Sequence, residues 1–353
     1  MWTKNRLTEA LDLEYPIFQA PMGEYTTPEL AAAVSNAGGA GSLGMWGFSA
    51  GEAKTRIQGF REISKGALNV NYPLWDDPGD LANLAVPMRE AVQALYDDKG
   101  LGQVPTPQAS AGEVSPEHLE VLIDMKPEMV SFHFGLPGRE IIEALKSANI
   151  FIMCSATTVA EAKHLEDNGV DFVIAQGTEA GGHRGTFQGA DVSMQSGLFS
   201  LLPQVVDAVS VPVIAAGGIA DGRGIAAALM LGASGVLIGT AFLRCGESAL
   251  IDEQREAYSA AGEGSTVLTN VMSGRKARSI NTRLVQELSR QGLEPLPFPA
   301  QYSLTLPFEE TGDKGFLELF AGQSLALTRE MPAAELVHTL VEETRACLES
   351  QSL

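Results

Sequence analysis

Short apolar runs alternate along the chain with segments whose composition is typical of helices. The runs are continuous and do not alternate with polar residues, a pattern typical of parallel strands covered on both faces. Eight such runs occur, at residues 16–22, 39–46, 66–74, 128–134, 150–157, 172–183, 211–219 and 235–243. Because neighbouring parallel strands need a crossover connection, the pattern predicts a repeated strand–helix unit.

The segments between the runs carry helix start and stop signals. The stretch TPELAAAVSNAGG, residues 27–39, has Thr at its start, Pro in the first turn and Gly at its end. Similar helix start and stop signals occur in residues 115–127 and 157–169. Eight strands, each followed by a helix, predict an α/β fold of the TIM (β/α)8 barrel type rather than an open sheet.

Two segments do not fit the repeat. Residues 75–113 form an insertion after strand three, with a helix-like first half and a second half rich in Pro, Ala and Gly. Residues 244–353 follow strand eight and are expected to form a helical C-terminal extension. We expect the barrel to occupy residues 1–243, with the insertion and the extension as candidate lids over its mouth.

Composition narrows the classes of partner and compartment. The net charge of -20 disfavours nucleic-acid binding, because an acidic surface repels phosphate backbones. Cys154, Cys245 and Cys347 lack metal-ligand spacing, and their odd number argues against a disulfide framework. With neither a signal peptide nor a membrane span evident, a soluble cytoplasmic protein is expected. The sequence is compatible with a homodimer but does not decide the oligomeric state.

Polar residues concentrate where the predicted strands end, which is where TIM barrels carry their active sites. The amides of Asn69 and Gln176 suit the polar edge of a heteroaromatic ring such as a flavin. The backbone of Ala20, Pro21 and Met22 is placed to lie against such a ring. The competing interpretation of each amide is a buried polar group or a cap, and it is the favoured one for Asn71.

Glycines follow the last two barrel strands. Gly217 and Gly218 precede a predicted helix, and Gly239 and Thr240 end strand eight. Backbone N–H groups and a helix N-terminus attract anions, and the loops after strands seven and eight are the recurrent phosphate site of this fold. Simple turn chemistry is the alternative.

Strand six runs into the segment VIAQGTEAGGHRG, residues 173–185. Its Gly181 and Gly182 leave space beside His183, whose imidazole can act as a base or, when protonated, hold an anion. His133 ends strand four and faces the same predicted mouth. A structural histidine bonded to a backbone carbonyl is the alternative for each.

These motifs together resemble the nitronate monooxygenases, formerly called 2-nitropropane dioxygenases. The resemblance covers residues 15–245, and VSFHFGLP at residues 130–137 narrows it to the class I group. It implies FMN bound without a covalent link, with His183 as the active-site histidine and His133 as a second pocket histidine. The cofactor-binding residues it implies are Ala20, Pro21, Met22, Asn69, Gln176, Gly181, Gly182, Gly217, Gly218, Leu237, Ile238, Gly239 and Thr240.

The extension departs from the family pattern. Class I members carry a pocket-facing Tyr, a second Tyr and a Lys where this chain has Phe298, Tyr302 and Leu306. Only the second Tyr is kept, as a substrate-pocket residue. The loss of a cation and a hydroxyl argues against a carboxylated substrate such as propionate 3-nitronate and leaves two alternatives, a more apolar nitronate or another substrate altogether.

The resemblance implies oxidation of alkyl nitronates, or of nitroalkanes, by O₂ to carbonyl compounds and nitrite or nitrate. A protonated His183 or His133 would balance the charge of a nitronate, whereas His183 would remove the α-proton of a nitroalkane. The main alternative is an FMN-dependent NAD(P)H:quinone or enoyl reductase of the same superfamily. A phosphosugar isomerase or aldolase and a non-catalytic flavin carrier are further alternatives.

Overall fold

The protein is described here by a computed structural model covering residues 2–108, 110–189 and 191–350. Its strands are β1 (Ile17–Gln19), β2 (Gly41–Gly44), β3 (Leu68–Pro73), β4 (Met129–His133), β5 (Phe151–Ala156), β6 (Phe172–Gln176), β7 (Gly182–His183), β8 (Val213–Ala216), β9 (Gly235–Ile238), β10 (Thr266–Thr269) and β11 (Ala277–Ile280). One parallel sheet has the order β1-β9-β8-β6-β5-β4-β3-β2. A parallel bridge between Phe18 and Ala40 joins its first and last strands. The predicted TIM barrel is confirmed, and each of the eight apolar runs contains one of its strands.

Helices surround the barrel. They are α1 (Arg6–Leu11), α2 (Pro28–Asn36), α3 (Ala50–Ile63), α4 (Ala82–Lys99), α5 (Pro116–Met125), α6 (Arg139–Ser147), α7 (Val159–Asp167), α8 (Leu198–Ala208), α9 (Gly222–Met230), α10 (Thr240–Leu243), α11 (Asp252–Ala260), α12 (Arg283–Arg290), α13 (Tyr302–Thr305) and α14 (Ala333–Ser350). Thr27, Ser115 and Thr158 cap α2, α5 and α7, as the start signals predict. None of the helices within the described ranges has the length and apolarity to cross a membrane.

The sixth barrel strand is shorter than its apolar run. It ends at Gln176, and the chain turns through Gly177 before Gly182 and His183 form β7 outside the barrel. β7 pairs antiparallel with β11, which pairs with β10, in a separate three-stranded sheet. The sequence did not predict β10 and β11, because neither contains a continuous apolar run.

The insertion and the extension share a second hydrophobic core. Residues of α4 pack against residues of α12, α13 and the segments that follow them; the buried members are Leu81, Ala85, Met88, Val92, Tyr96, Val104, Val271, Met272, Leu284, Val285, Leu288, Leu296, Ala300, Leu304, Phe308 and Phe316. Paired hydrogen bonds between Trp75 and Gly112 close the base of the insertion. The two candidate lids therefore form one structure over one side of the mouth.

The last helix returns to the barrel wall. α14 packs against α9 and α2 and thereby occupies the gap between the helices that follow the seventh and the first barrel strands, β8 and β1. The extension thus leaves the barrel after β9 and rejoins it at residue 333. The division of the chain at residue 243 stays a prediction.

Candidate active site

A cavity of about 350 Å³ opens at the carboxyl ends of the barrel strands. It is lined by most of the residues that the sequence singled out: Ala20, Pro21, Met22, His133, Gln176, Gly181, Gly182, His183, Gly217, Gly218, Leu237, Gly239, Thr240, Phe298, Tyr302 and Leu306. Asn69 and Ile238 are not among the lining residues. The barrel therefore brings strand ends and extension together at one site.

Asn71, not Asn69, reaches the cavity from β3. Side chains alternate along a strand, so both amides face the barrel interior, with Asn69 one layer deeper. Asn69 is fully buried, and its Nδ2 donates to Ser42 Oγ at 3.1 Å. Its Oδ1 is buried without a hydrogen-bond partner among the described residues. Ile238 is likewise buried, and its carbonyl accepts from Ala20 N. Cofactor contacts by Asn69 and Ile238 stay predictions.

The backbone of His183 is clamped over the barrel mouth. Its carbonyl accepts hydrogen bonds from His133 Nε2 at 3.1 Å and from Gln176 Nε2 at 3.0 Å. Gln176 Oε1 accepts from Gly185 N at 2.8 Å, so both ends of this amide hold the same loop. Pairing of Gly182 and His183 with β11 fixes the loop from the other side.

Arg184 holds the base of this loop, and the sequence analysis missed it. Its side chain is fully buried, which is costly for a cation unless its donors are satisfied. Nη2 donates to Gln176 O at 2.8 Å, Nη1 donates to Gly177 O, and Nε donates to Gln195 Oε1 at 2.9 Å. Burial lowers the pKa of Arg184 to about 10, so the guanidinium stays charged at neutral pH.

The hydrogen bonds of His183 define its tautomer. Ser273 Oγ donates to Arg275 O at 3.1 Å, so it accepts from His183 Nε2 at 2.8 Å. The Nδ1 atom is then the basic nitrogen. Burial, together with the nearby His133 and Arg275, lowers the pKa of His183 to about 3. The ring is therefore neutral at neutral pH, which favours the base role over the protonated anion holder.

His133 lines the cavity, but both of its ring nitrogens are engaged. Nε2 donates to the His183 carbonyl, and Nδ1 accepts from Ser155 Oγ at 3.0 Å. Burial lowers the pKa of His133 to about 4. This geometry makes His133 a positioning residue for His183, and its catalytic role stays a prediction.

Arg275 is a half-buried cation beside the site that the sequence pattern does not predict. Its guanidinium carbon lies 3.8 Å from the centre of the Phe134 ring, and Nη2 donates to Thr186 O. Burial lowers the pKa of Arg275 to about 10, so it remains charged. Phe134 in turn lies edge-on to His183 with the ring centres 5.8 Å apart. A positive charge therefore lies behind the apolar wall beside the histidine.

The loops after β8 and β9, which contain Gly217, Gly218 and Gly239, leave backbone N–H donors facing a narrow gap. Gly217 and Gly218 have φ values of 106° and 72°, in the left-handed region that favours glycine. A Cβ on Gly217 would lie 2.9 Å from Ala180 N, so the loops approach closely. Within the described ranges, no protein group accepts from the N–H groups of Gly217, Gly218 or Gly239. These donors are free for an anion.

The expectation that the N-terminus of α9 contributes to anion binding is wrong. The Asp221 carboxylate already accepts from Arg223 N and Gly224 N, and Glu343 accepts from Gly222 N. An anion at this end of the cavity would therefore depend on the loop amides, because carboxylates already occupy the helix N-terminus.

A family model described as nitronate monooxygenase matches residues 4–343. The chain belongs to the nitronate monooxygenase family. A nitronate monooxygenase from Pseudomonas aeruginosa is 41% identical over 97% of this chain and 99% of its own length. A probable nitronate monooxygenase from Staphylococcus aureus is 36% identical over 97% and 98%. Membership makes the chain an oxidoreductase.

Two solved structures resemble the chain over almost its whole length. A nitroalkane oxidase from Streptomyces ansochromogenes has a TM-score of 0.91 and 36% identity, covering 99% of this chain and all of its own. FabK from Thermotoga maritima has a TM-score of 0.77 and 28% identity, covering 98% of each.

Phe298 and Leu306, which depart from the nitronate monooxygenase pattern, and Tyr302, which keeps it, all line the cavity. The Phe298 ring lies 5.2 Å from the His183 ring and 5.3 Å from the Trp46 ring, between centres. Tyr302 directs its hydroxyl to Glu318 Oε2 at 3.0 Å. Leu306 is 44% exposed at the outer rim. The Glu179 carboxylate, in the loop after β6, accepts from Leu198 N at the start of α8.

The low pKa of His133 predicts a dependence of stability on pH. The unfolded ring titrates near ~6.5 and the folded ring near about 4, so only the unfolded chain takes up the proton in between. The free energy of unfolding should therefore fall as the pH falls through this window. Between about pH 7 and about pH 5, the free energy of unfolding of His133→Gln should fall by about 1–2 kcal/mol less than that of the wild type.

Urea denaturation at the two pH values measures this difference. His164→Gln is the matched control, because His164 is exposed on α7. If the free energy of unfolding changes equally with pH in the wild type and His133→Gln, His133 is not held neutral by the fold.

Proposed function

We propose that the protein oxidises alkyl nitronates, or nitroalkanes, with bound FMN and O₂, and releases carbonyl compounds with nitrite or nitrate. The observation that carries this proposal is the neutral His183 clamped at a cavity whose far loops present free backbone donors. The names of the Pseudomonas aeruginosa relative and of the Streptomyces ansochromogenes structure support the same chemistry. A cytoplasmic location and a homodimer stay predictions.

The residues present fit FMN. The unpartnered amides of Gly217, Gly218 and Gly239 suit the phosphate, and Gly182 leaves open space where a side chain would intrude. When bound, FMN supplies the electron transfer and the reaction with O₂.

His183 supplies the proton chemistry. Its Nδ1 accepts the α-proton of a neutral nitroalkane, while the proton on Nε2 stays there and is donated to Ser273 Oγ. The nitronate anion formed beside the ring raises the pKa of the imidazole and so favours the proton transfer. The charge of Arg275, behind Phe134, also favours an anion in the cavity. A preformed nitronate needs no base.

Replacement of His183 separates the two substrates. His183→Asn should lower kcat/KM for a neutral nitroalkane by about 10²-fold or more, because the base is lost. The same variant should oxidise the preformed nitronate with a much smaller loss. Oxygen uptake with each form of one nitroalkane measures both values, and His164→Asn is the control. Normal turnover of the neutral nitroalkane by His183→Asn would rule out the assigned role.

Replacement of Gly239 tests the phosphate site. An added Cβ would lie 3.6 Å from Ala20 Cβ and 3.8 Å from Met22 Sδ, so the fold tolerates it. It would, however, occupy space beside the amides proposed to hold the phosphate. Gly239→Ala should therefore release FMN on ultrafiltration at concentrations where the wild type retains it.

The matched control for this variant is Gly246→Ala, which has open space around the added Cβ and lies on an exposed turn. Full retention of FMN by Gly239→Ala would contradict the placement of the phosphate.

The NAD(P)H-dependent reductase remains the second candidate, because FabK from Thermotoga maritima is similar over 98% of this chain. The higher TM-score to the nitroalkane oxidase, 0.91 against 0.77, favours the oxidase chemistry. Rapid bleaching of the bound flavin by NADH without O₂ would favour the reductase.

A further inference from the structure

One wall of the cavity carries carboxyl groups without a cation. We call it the acidic wall; it consists of Glu24, Glu309 and Glu318, with Tyr25 and Tyr302 beside them, and all five line the cavity. Among the lining residues in the described part of the chain, none is Lys or Arg. The mechanism above uses none of these carboxyl groups.

Glu318 has a carboxyl oxygen that still lacks a partner. Its Oε2 accepts from the Tyr302 hydroxyl at 3.0 Å, whereas Oε1 is buried with no donor among the described residues. The Glu318 backbone N–H donates to Glu309 Oε1 at 3.3 Å, which brings the second carboxyl to the same place. A buried acceptor without a donor costs stability, so this arrangement suits a ligand that brings a donor.

The acidic wall adjoins the position of the substrate. The Tyr302 ring lies 6.3 Å from the His183 ring and 5.9 Å from the Trp46 ring, between centres. Glu318 therefore lies one side chain away from the histidine proposed to handle the α-proton. A substrate held at His183 would direct its far end toward this wall.

The charged groups that act on Glu318 are the carboxylates of Glu309 and Glu24, so they are all negative. Burial raises the pKa of Glu318 well above its usual range, and the nearby Glu309 and Glu24 raise it further. Leu306, at the position where the family pattern has a Lys, contributes no cation. A positive group in this part of the cavity would have to come from the ligand, and it would allow Glu318 to ionise.

We propose that the substrate carries a primary ammonium group at the end remote from its nitro or nitronate group, and that Glu318 and Glu309 bind it. This inference rests on the proposed function for the identity of the reacting end. It names a substrate class for the same cavity: a compound with a nitro or nitronate group at one end and an ammonium at the other. A carboxylate at the far end would instead meet like charges.

Three nitronates of equal length test the inference in turnover: that of nitrobutane and those of its analogues with a terminal ammonium or a terminal carboxylate. We expect the highest kcat/KM for the ammonium compound and the lowest for the carboxylate. Glu318→Gln should reduce kcat/KM for the ammonium compound about tenfold or more, since it removes a charge-assisted hydrogen bond. The same variant should leave kcat/KM for the nitronate of nitrobutane nearly unchanged. Glu310→Gln, at an exposed neighbour outside the cavity, is the matched control.

Binding of unreactive probes separates this inference from the proposed function. Calorimetry with the cofactor-loaded protein should detect butylammonium but not butyrate, and Glu318→Gln should abolish the difference. Butyrate binding as tight as butylammonium, or a preference unchanged in Glu318→Gln, would overturn the inference. If no nitronate is oxidised, the proposed function fails, while butylammonium binding that depends on Glu318 would still support the ammonium site.

Leu306→Lys covers the case in which Glu318→Gln does not fold. Leu306 is at the exposed rim, so the fold should tolerate this change. The added cation should weaken butylammonium binding and strengthen butyrate binding. No change in either would count against an electrostatic role for the acidic wall.

Discussion

The site depends on the two hydrogen bonds that the His183 carbonyl accepts. The donors are His133 on β4 and Gln176 at the end of β6, so two barrel strands fix one point of a loop outside the barrel. Arg184 holds the base of this loop by donating to the backbone of residues 176 and 177. Without this clamp, the imidazole would have no fixed position over the mouth.

The extension holds the loop that contains His183 from the side opposite the barrel. β11 pairs with β7 on the open side of the loop, and Ser273, just before β11, sets the tautomer of His183. The second hydrophobic core ties this part of the extension to the insertion after β3. The barrel thus supplies the polar groups at the strand ends, whereas the extension supplies the wall that encloses the substrate.

The barrel could be predicted from the sequence because each of its strands is a continuous apolar run. Residues adjacent to strand ends, such as His183 and Gly217, were found because the fold fixes where strand ends converge. Asn69 and Asn71 are two residues apart and share one face of β3, but only Asn71 lines the cavity. The sequence does not distinguish them, because a shift of two residues is below the precision with which a run locates a strand end.

Other parts of the site carry no local signal. Arg184 and Arg275 are charged residues in loops, and nothing in their neighbours marks them as buried rather than solvated. Glu318 follows a loop of the extension and reaches the cavity only through long-range packing. The strands β10 and β11 mix polar and apolar residues, so no continuous apolar run marks them.

The most direct test of the account is a crystal structure of the protein with FMN bound. We predict FMN in the cavity, with its phosphate against the amides of Gly217, Gly218 and Gly239 and its ring system on the side of Gln176 and His183. FMN bound elsewhere, or with its phosphate remote from these glycines, would contradict the account.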